Sequence, residues 1–198
     1  MAYNFKEYLT GVDVFLSSWS SGSSINSCVI EIRKSYAGNI NRAGLAMEGA
    51  EAYLLPINHA QFWDSIEKGI KPLVRFFTED QGFITFTSCE GHLYKNGSYS
   101  PRNIGIIMRS EYELNFVILL ISNVTKMFNQ EHEAIKVKFY SYDMIDDKKN
   151  SHKAIKIIFD RASKTTIDEY FLNLDHCTSR YLLLLQNEAS ISGNPYVK

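Results

Sequence analysis

The 198-residue chain has only three cysteines, four prolines and a formal net charge of −1. Its unbroken apolar runs are short, the longest covering 116–121. Each scarcity excludes something. Three widely spaced thiols (Cys28, Cys89, Cys177) with no export signal do not read as a disulfide framework and point to reduced cysteines in a cytoplasm. A near-neutral balance gives no bulk attraction to nucleic acid or an anionic membrane. A bilayer span needs about 20 apolar residues, and no run approaches that. The amino-terminal stretch carries Lys6, Glu7 and Asp13 within its apolar pattern, which is not a signal peptide. There is no G-x-G-x-x-G, P-loop, G-x-S-x-G or H-E-x-x-H motif.

What is present is an ordinary globular composition, 45% hydrophobic and rich in Phe and Tyr. Apolar spacing predicts a helix over 3–18, a Ser/Gly connector over 17–27, a short strand over 28–36 and a small-residue helix over 38–55. A further helix is expected from Asn58, with Gln61 three residues on completing a capping pair, and broken at Gly69, with Pro72 opening a short continuation. Strands follow over 82–88 and 102–110, then a helix over 111–128 with Ser110 and Glu113 as a capping box. Two period-two strands, 134–143 and 152–160, flank a polar turn. A last helix is capped by Thr165 with Asp168 or by Thr166 with Glu169. The expectation is one α+β domain over 1–198, helical to about 78 and sheet-containing from about 79. Its mixed or antiparallel sheet has four to five strands, with helices on one face and the amino-terminal helices as a cap.

The most unusual stretch is Ser88-Cys89-Glu90-Gly91-His92, at the end of a buried strand and before a polar flap, 93–103, with an Asn96–Gly97 turn. Gly91 permits a tight turn, and an imidazole three residues from a thiol is placed to stabilise a thiolate. Cys89, Glu90 and His92 are therefore the candidate catalytic residues, with Ser88 and Gly91 as ligand-binding neighbours. Asn41 and Glu48, seven residues apart on the expected 38–55 helix, are candidates to complete a pocket, beside the plainer reading of a solvent-facing stripe. Cys89 and His92 also have the spacing of half a zinc site, with His176 as a third ligand. No fourth ligand can be named, so zinc is not expected. Cys177 falls in register with Tyr170, Leu174 and Tyr181 and reads as core, whereas His59, His132 and His152 read as solvated.

Asp64, Ile66, Gly69, Pro72 and Leu73, then Thr85 and Thr87, then Ser88-Cys89-x-Gly91 together resemble the signature of the tRNA wybutosine-synthesis methyltransferase family. The resemblance covers residues 64–93. It implies S-adenosylmethionine as cofactor and group transfer to a nucleotide or RNA, a tricyclic guanosine derivative beside the anticodon in that family. Members carry Ser-Cys-Ser-Gly-Arg where this chain has an acid at Glu90 and a titratable imidazole at His92.

Residues 134–164 hold eight basic side chains against four acidic ones, and strand alternation puts Lys136, Lys138 and Tyr140, with Lys156 beside them, on one face. Such a stripe suits an RNA backbone, and equally an ordinary solvated or lysine-protected sheet face. Three functions stay open at this point: a transferase acting on a nucleotide or RNA, a cysteine-dependent hydrolase or acyl-transfer enzyme, and a non-enzymatic small-ligand-binding module of a phage or defence system.

Overall fold

A computed structural model describes residues 15–17, 19, 29–31, 39–40, 46–47, 52–55, 57–145 and 149–193. The fold is α+β. Its centre is a four-stranded antiparallel sheet, formed by β5 (Ile84–Cys89), β8 (Arg102–Ile107), β9 (Ile135–Ile145) and β10 (Ser151–Arg161) in the order β5-β8-β10-β9. A two-stranded hairpin, β6 (His92–Leu93) with β7 (Tyr99–Ser100), lies between β5 and β8. Two long helices, α3 (Glu111–Glu131) and α4 (Ile167–Ser192), pack against one face of the sheet.

Alternation along the strands sorts the core. Ile104, Ile106, Ile155, Ile157, Ile135 and Val137 face the helices, where Val117, Ile121, Phe128, Leu174, Tyr181 and Leu185 meet them. On the opposite face Ile84, Phe86, Ile107, Met144 and Ala154 form a smaller cluster with Phe15, and Leu16 and Trp19 pack against it. The helical residues 15–17 and 19 thus cover part of the second face, as the amino-terminal cap was expected to do.

The helix ends follow from local chemistry. Ser110 accepts a hydrogen bond from the Glu113 N–H, but the expected capping box closes differently. The buried Glu113 carboxylate turns instead to the Arg109 N–H and guanidinium. Thr166 and Glu169 form the full box at α4. At the other end of α3, the Lys136 ammonium donates to the carbonyls of Asn129 and His132, satisfying acceptors that a helix terminus leaves unpaired.

Two expected helices are corrected. Over 38–54 the described residues are strands: β2 (Asn39–Ile40) pairs with β3 (Ala46–Met47), and β4 (Ala52–Leu54) pairs with β1 (Val29–Glu31). Gly44 and Gly49 each cost a helix interior about 1 kcal/mol relative to alanine, and the small residues between them define no apolar stripe. The helix expected from Asn58 is one turn, α1 (Phe62–Ser65), with no side-chain cap, and the Gln61 N–H donates to His59 Nδ1. It stops where Ile66 turns extended. The chain resumes as α2 (Lys71–Arg75), with Pro72 in its first turn, and runs on into a π-turn, Phe76–Asp80.

One irregularity sets the direction of the site. Between Thr85 and Thr87 the β5–β8 pairing slips by one residue, so Phe86 and Thr87 together oppose Gly105. A Cβ on Gly105 would lie 2.5 Å from Thr87 Cγ2 and 2.7 Å from Phe86 Cε1. Gly105→Ala is therefore expected to destabilise the fold by roughly 1–3 kcal/mol through overpacking. Urea denaturation measures this, and an unchanged midpoint would show that the bulge tolerates a side chain there.

Candidate functional site

Beyond the bulge, Ser88 pairs with Ile104 and Cys89 with Asn103. Opposed residues share a face, so Ser88 takes the helix side with Ile104, and Cys89 points the other way. The chain then turns at Gly91, whose φ of 90° favours glycine, and returns as β6 with His92 at its start. The hairpin closes through Gly97, at φ 78°, and Asn96 Oδ1 accepts from the Ser98 N–H, which matches the expected Asn96–Gly97 turn.

Three reactive groups meet here: donor atoms of Glu67, Cys89 and His92 all lie within 4.8 Å of one another. Cys89 and His92 are two of the residues singled out from sequence, and Glu67 is new. His92 Nε2 stands 2.9 Å from Glu67 Oε1. The second oxygen, Glu67 Oε2, accepts from the Glu90 N–H at 2.7 Å. The same imidazole also hydrogen-bonds Cys89. The Gly91 N–H points at Cys89 Sγ from 3.4 Å, and the Ser100 hydroxyl lies 3.8 Å from it. The His92 side chain is only 13% exposed, while Cys89 is half-buried.

Hydrogen bonding with Cys89, then with Glu67, pushes the His92 pKa up to about 10, against a burial that lowers it. Burial would raise the Glu67 pKa. The hydrogen bonds from His92 and the Glu90 N–H outweigh it and hold the carboxyl below its ordinary range. The arrangement is a carboxylate–imidazolium pair touching a thiol. Two ligands of one tetrahedral ion, with bonds of about 2.0–2.1 Å, stand about 3.3 Å apart. At 2.9 Å, Glu67 and His92 are in hydrogen-bond contact, and the same three groups could also serve as metal ligands.

The other sequence candidates fall elsewhere. Glu90 sits beside the cluster, but its carboxylate accepts from the Gly69 N–H at 2.7 Å instead of meeting His92. Ser88 lies on the opposite strand face from Cys89. Asn41 and Glu48 lie outside the described residues. Cys177 is core, and burial raises its pKa. His132, expected to be solvated, stacks on Phe128 with centroids 4.3 Å apart and has Nδ1 3.9 Å from Cys177 Sγ. In the lysine stripe, Lys136 caps α3 and Lys138 is paired with Asp160 at 2.7 Å.

Glu67 escaped sequence reading because it lies more than twenty positions before its partners and seemed to belong to a helix. The signal was Gly69, three residues before Pro72, which marks a break where side chains no longer follow helical spacing. On the far side of the Glu90–Gly91 turn lies a groove of about 540 Å3 between the 68–72 segment and α4, floored by Arg102. Glu67, Cys89 and His92 do not line it. Among the described residues no helix is long and apolar enough to cross a membrane. Comparison with protein-family models, curated proteins and solved structures finds no match.

The pair makes stability depend on pH with a definite sign. The folded-state pKa of His92 is raised from 6.5 to about 10, so its contribution is full below 6.5 and is lost as pH rises through 10. The lowered Glu67 pKa supplies stability that is present above 4.5 and lost as pH falls below it. The stability difference between the native chain and His92→Gln is therefore expected to be larger near pH 6 than near pH 10, read by urea denaturation at both values. Equal differences would mean that the imidazole is uncharged in the fold. Gly91→Val, which forces a β-branched residue into φ 90° and against Arg102 N and Leu174, is expected to disrupt the site and lower the melting temperature.

Proposed function

We propose that the protein is a cysteine-dependent hydrolase or acyl-transfer enzyme in which Cys89 is the nucleophile, His92 the acid and base, and Glu67 the group that orients and charges the imidazole. The observation that carries this reading is the Glu67–His92 contact at 2.9 Å with Cys89 Sγ within 4.8 Å of both. A nucleophile, a base within reach and a third group holding the base form the general constellation of nucleophilic catalysis. Such a site works in the imidazolium–thiolate form.

In the first step the thiolate attacks the carbonyl carbon of an activated acyl group, forming a C–S bond. The leaving heteroatom departs with its electron pair and takes the imidazolium proton. In the second step neutral His92 accepts a proton from water, or from another nucleophile, as that oxygen or nitrogen attacks the thioester. The C–S bond breaks, and the thiolate and imidazolium are restored. Glu67 keeps its hydrogen bond to His92 throughout and holds the ring while the imidazole exchanges the proton with the reacting groups. Solvation by the Gly91 N–H supports the sulfur whenever it carries charge.

The transferase reading, with S-adenosylmethionine as cofactor and RNA or a nucleotide as substrate, rests on the 64–93 resemblance. The cluster of thiol, imidazole and carboxylate belongs to proton and acyl transfer, and no methyl-transfer step is derived from it. The engagement of Lys136 and Lys138 within the fold adds no support for an RNA-binding stripe.

Native protein treated with substoichiometric iodoacetamide near pH 7 is expected to be labelled at Cys89 well before Cys177, which is 3% exposed. Glu67→Gln is expected to slow labelling of Cys89 with little change at Cys177. Peptide mass spectrometry reads both. Equal labelling of the two thiols would overturn the nucleophile, as would about one zinc per chain that is lost in Cys89→Ala.

A further inference from the structure

Arg102 is the buried cation of this protein's site region, with a side chain only 5% exposed. Its guanidinium is held on three sides. Nε donates to the Glu90 carbonyl at 2.8 Å, Nη1 to Thr178 Oγ1 at 2.8 Å, and Nη2 to Asp175 Oδ1 at 2.7 Å. Its backbone N–H donates to the Tyr170 hydroxyl, which donates in turn to the Phe159 carbonyl. Gly69 leaves room for the guanidinium, since a Cβ there would lie 2.5 Å from Nη2. A cation taken out of water at this cost calls for a reason beyond packing.

The reason lies in which carbonyl it holds. Glu90 C=O and Gly91 N–H belong to one peptide unit, planar and trans, so the two bonds point in opposite directions. Arg102 Nε grips the oxygen end of that unit, and its N–H end is directed at Cys89 Sγ. Withdrawing electron density at the oxygen polarises the amide and strengthens its N–H as a donor. We propose that Arg102 is a positioning residue for Cys89, acting through the Glu90–Gly91 peptide to fix and strengthen the hydrogen bond that stabilises negative charge on the sulfur. This inference rests on the reading of Cys89 as nucleophile.

Among the described residues, three groups besides the Gly91 N–H face the sulfur. His92 approaches from β6, Glu67 from the segment after α1, and the Ser100 hydroxyl from β7. Glu90 and Asp175 face the guanidinium, whose charge also helps to lower the Glu67 pKa. Arg102→Lys therefore keeps a cation near the Glu67–His92 pair and changes chiefly the grip on this amide.

Two variants separate positioning from bulk stability. Arg102→Lys keeps a cation but loses the planar fork that grips a carbonyl and two side chains together. Thr178→Val removes a different hydrogen bond from the same guanidinium and leaves Nε on Glu90. Both are expected to lower the melting temperature. The rate of Cys89 alkylation is measured from about pH 5 to 10 with iodoacetamide, with Cys177 as the internal reference. In Arg102→Lys the neutral-pH rate is expected to fall about fivefold, the equivalent of one ordinary hydrogen bond, and its pH profile to move to higher pH. In Thr178→Val rate and profile are expected to be native. If Arg102→Lys retains the native profile, or if both variants shift it alike, the positioning role is overturned. Should Cys89 prove unreactive in the native chain, the nucleophile itself fails, a result distinct from either of these.

Discussion

The site depends on one buried guanidinium. Arg102 starts β8, touches the turn after β5 through the Glu90 carbonyl and reaches Thr178 and Asp175 on α4. Three segments distant in sequence are thereby fixed to one rigid, planar group. Hydrogen bonds to a charged donor are stronger than neutral ones, and the buried guanidinium itself would be costly to leave without its acceptors. The turn holding Cys89 and His92 is consequently anchored to the helical layer as well as to the strand it leaves.

A second constraint operates on the other side of that turn. The Glu90 carboxylate accepts from Gly69, and the Glu67 carboxylate accepts from the Glu90 N–H. These two reciprocal contacts lock the 67–69 segment against the turn. That lock is what brings a carboxylate from one turn of chain before α2 onto the imidazole. Side chains on loops need such second contacts to be held in one geometry, because loop backbone alone fixes them poorly.

Much of this architecture was legible from residue patterns. The four sheet strands and both long helices carry clear period-two or helical spacing, with caps at Ser110 and Thr166 that the structure uses. The stretch 38–55 was misread because strands of two or three residues are too short to show a period, and alanine-rich sequence defaults to helix. Cys89 and His92 were visible as neighbours in sequence. Glu67 was hidden by its distance along the chain, and Arg102 by its position at the start of an apolar strand, where an arginine ordinarily reads as exposed. No local pattern reports that a cation is to be buried, since that depends on acceptors supplied by Glu90, Thr178 and Asp175.

The bulge in β5 acts as a frame selector. In an uninterrupted pairing, Phe86 would oppose Gly105, Ser88 would oppose Asn103, and Cys89 would be carried inward beside Arg102. A serine would then stand where the thiol does, and the sulfur would sit among the groups that hold the guanidinium. The extra residue at Phe86 reverses that choice, and the absent side chain at Gly105 gives two ring-bearing and branched neighbours space to share one opposing position. The same five-residue motif thus offers two mutually exclusive side chains, a hydroxyl and a thiol, and a packing detail three residues upstream decides which of them meets the imidazole.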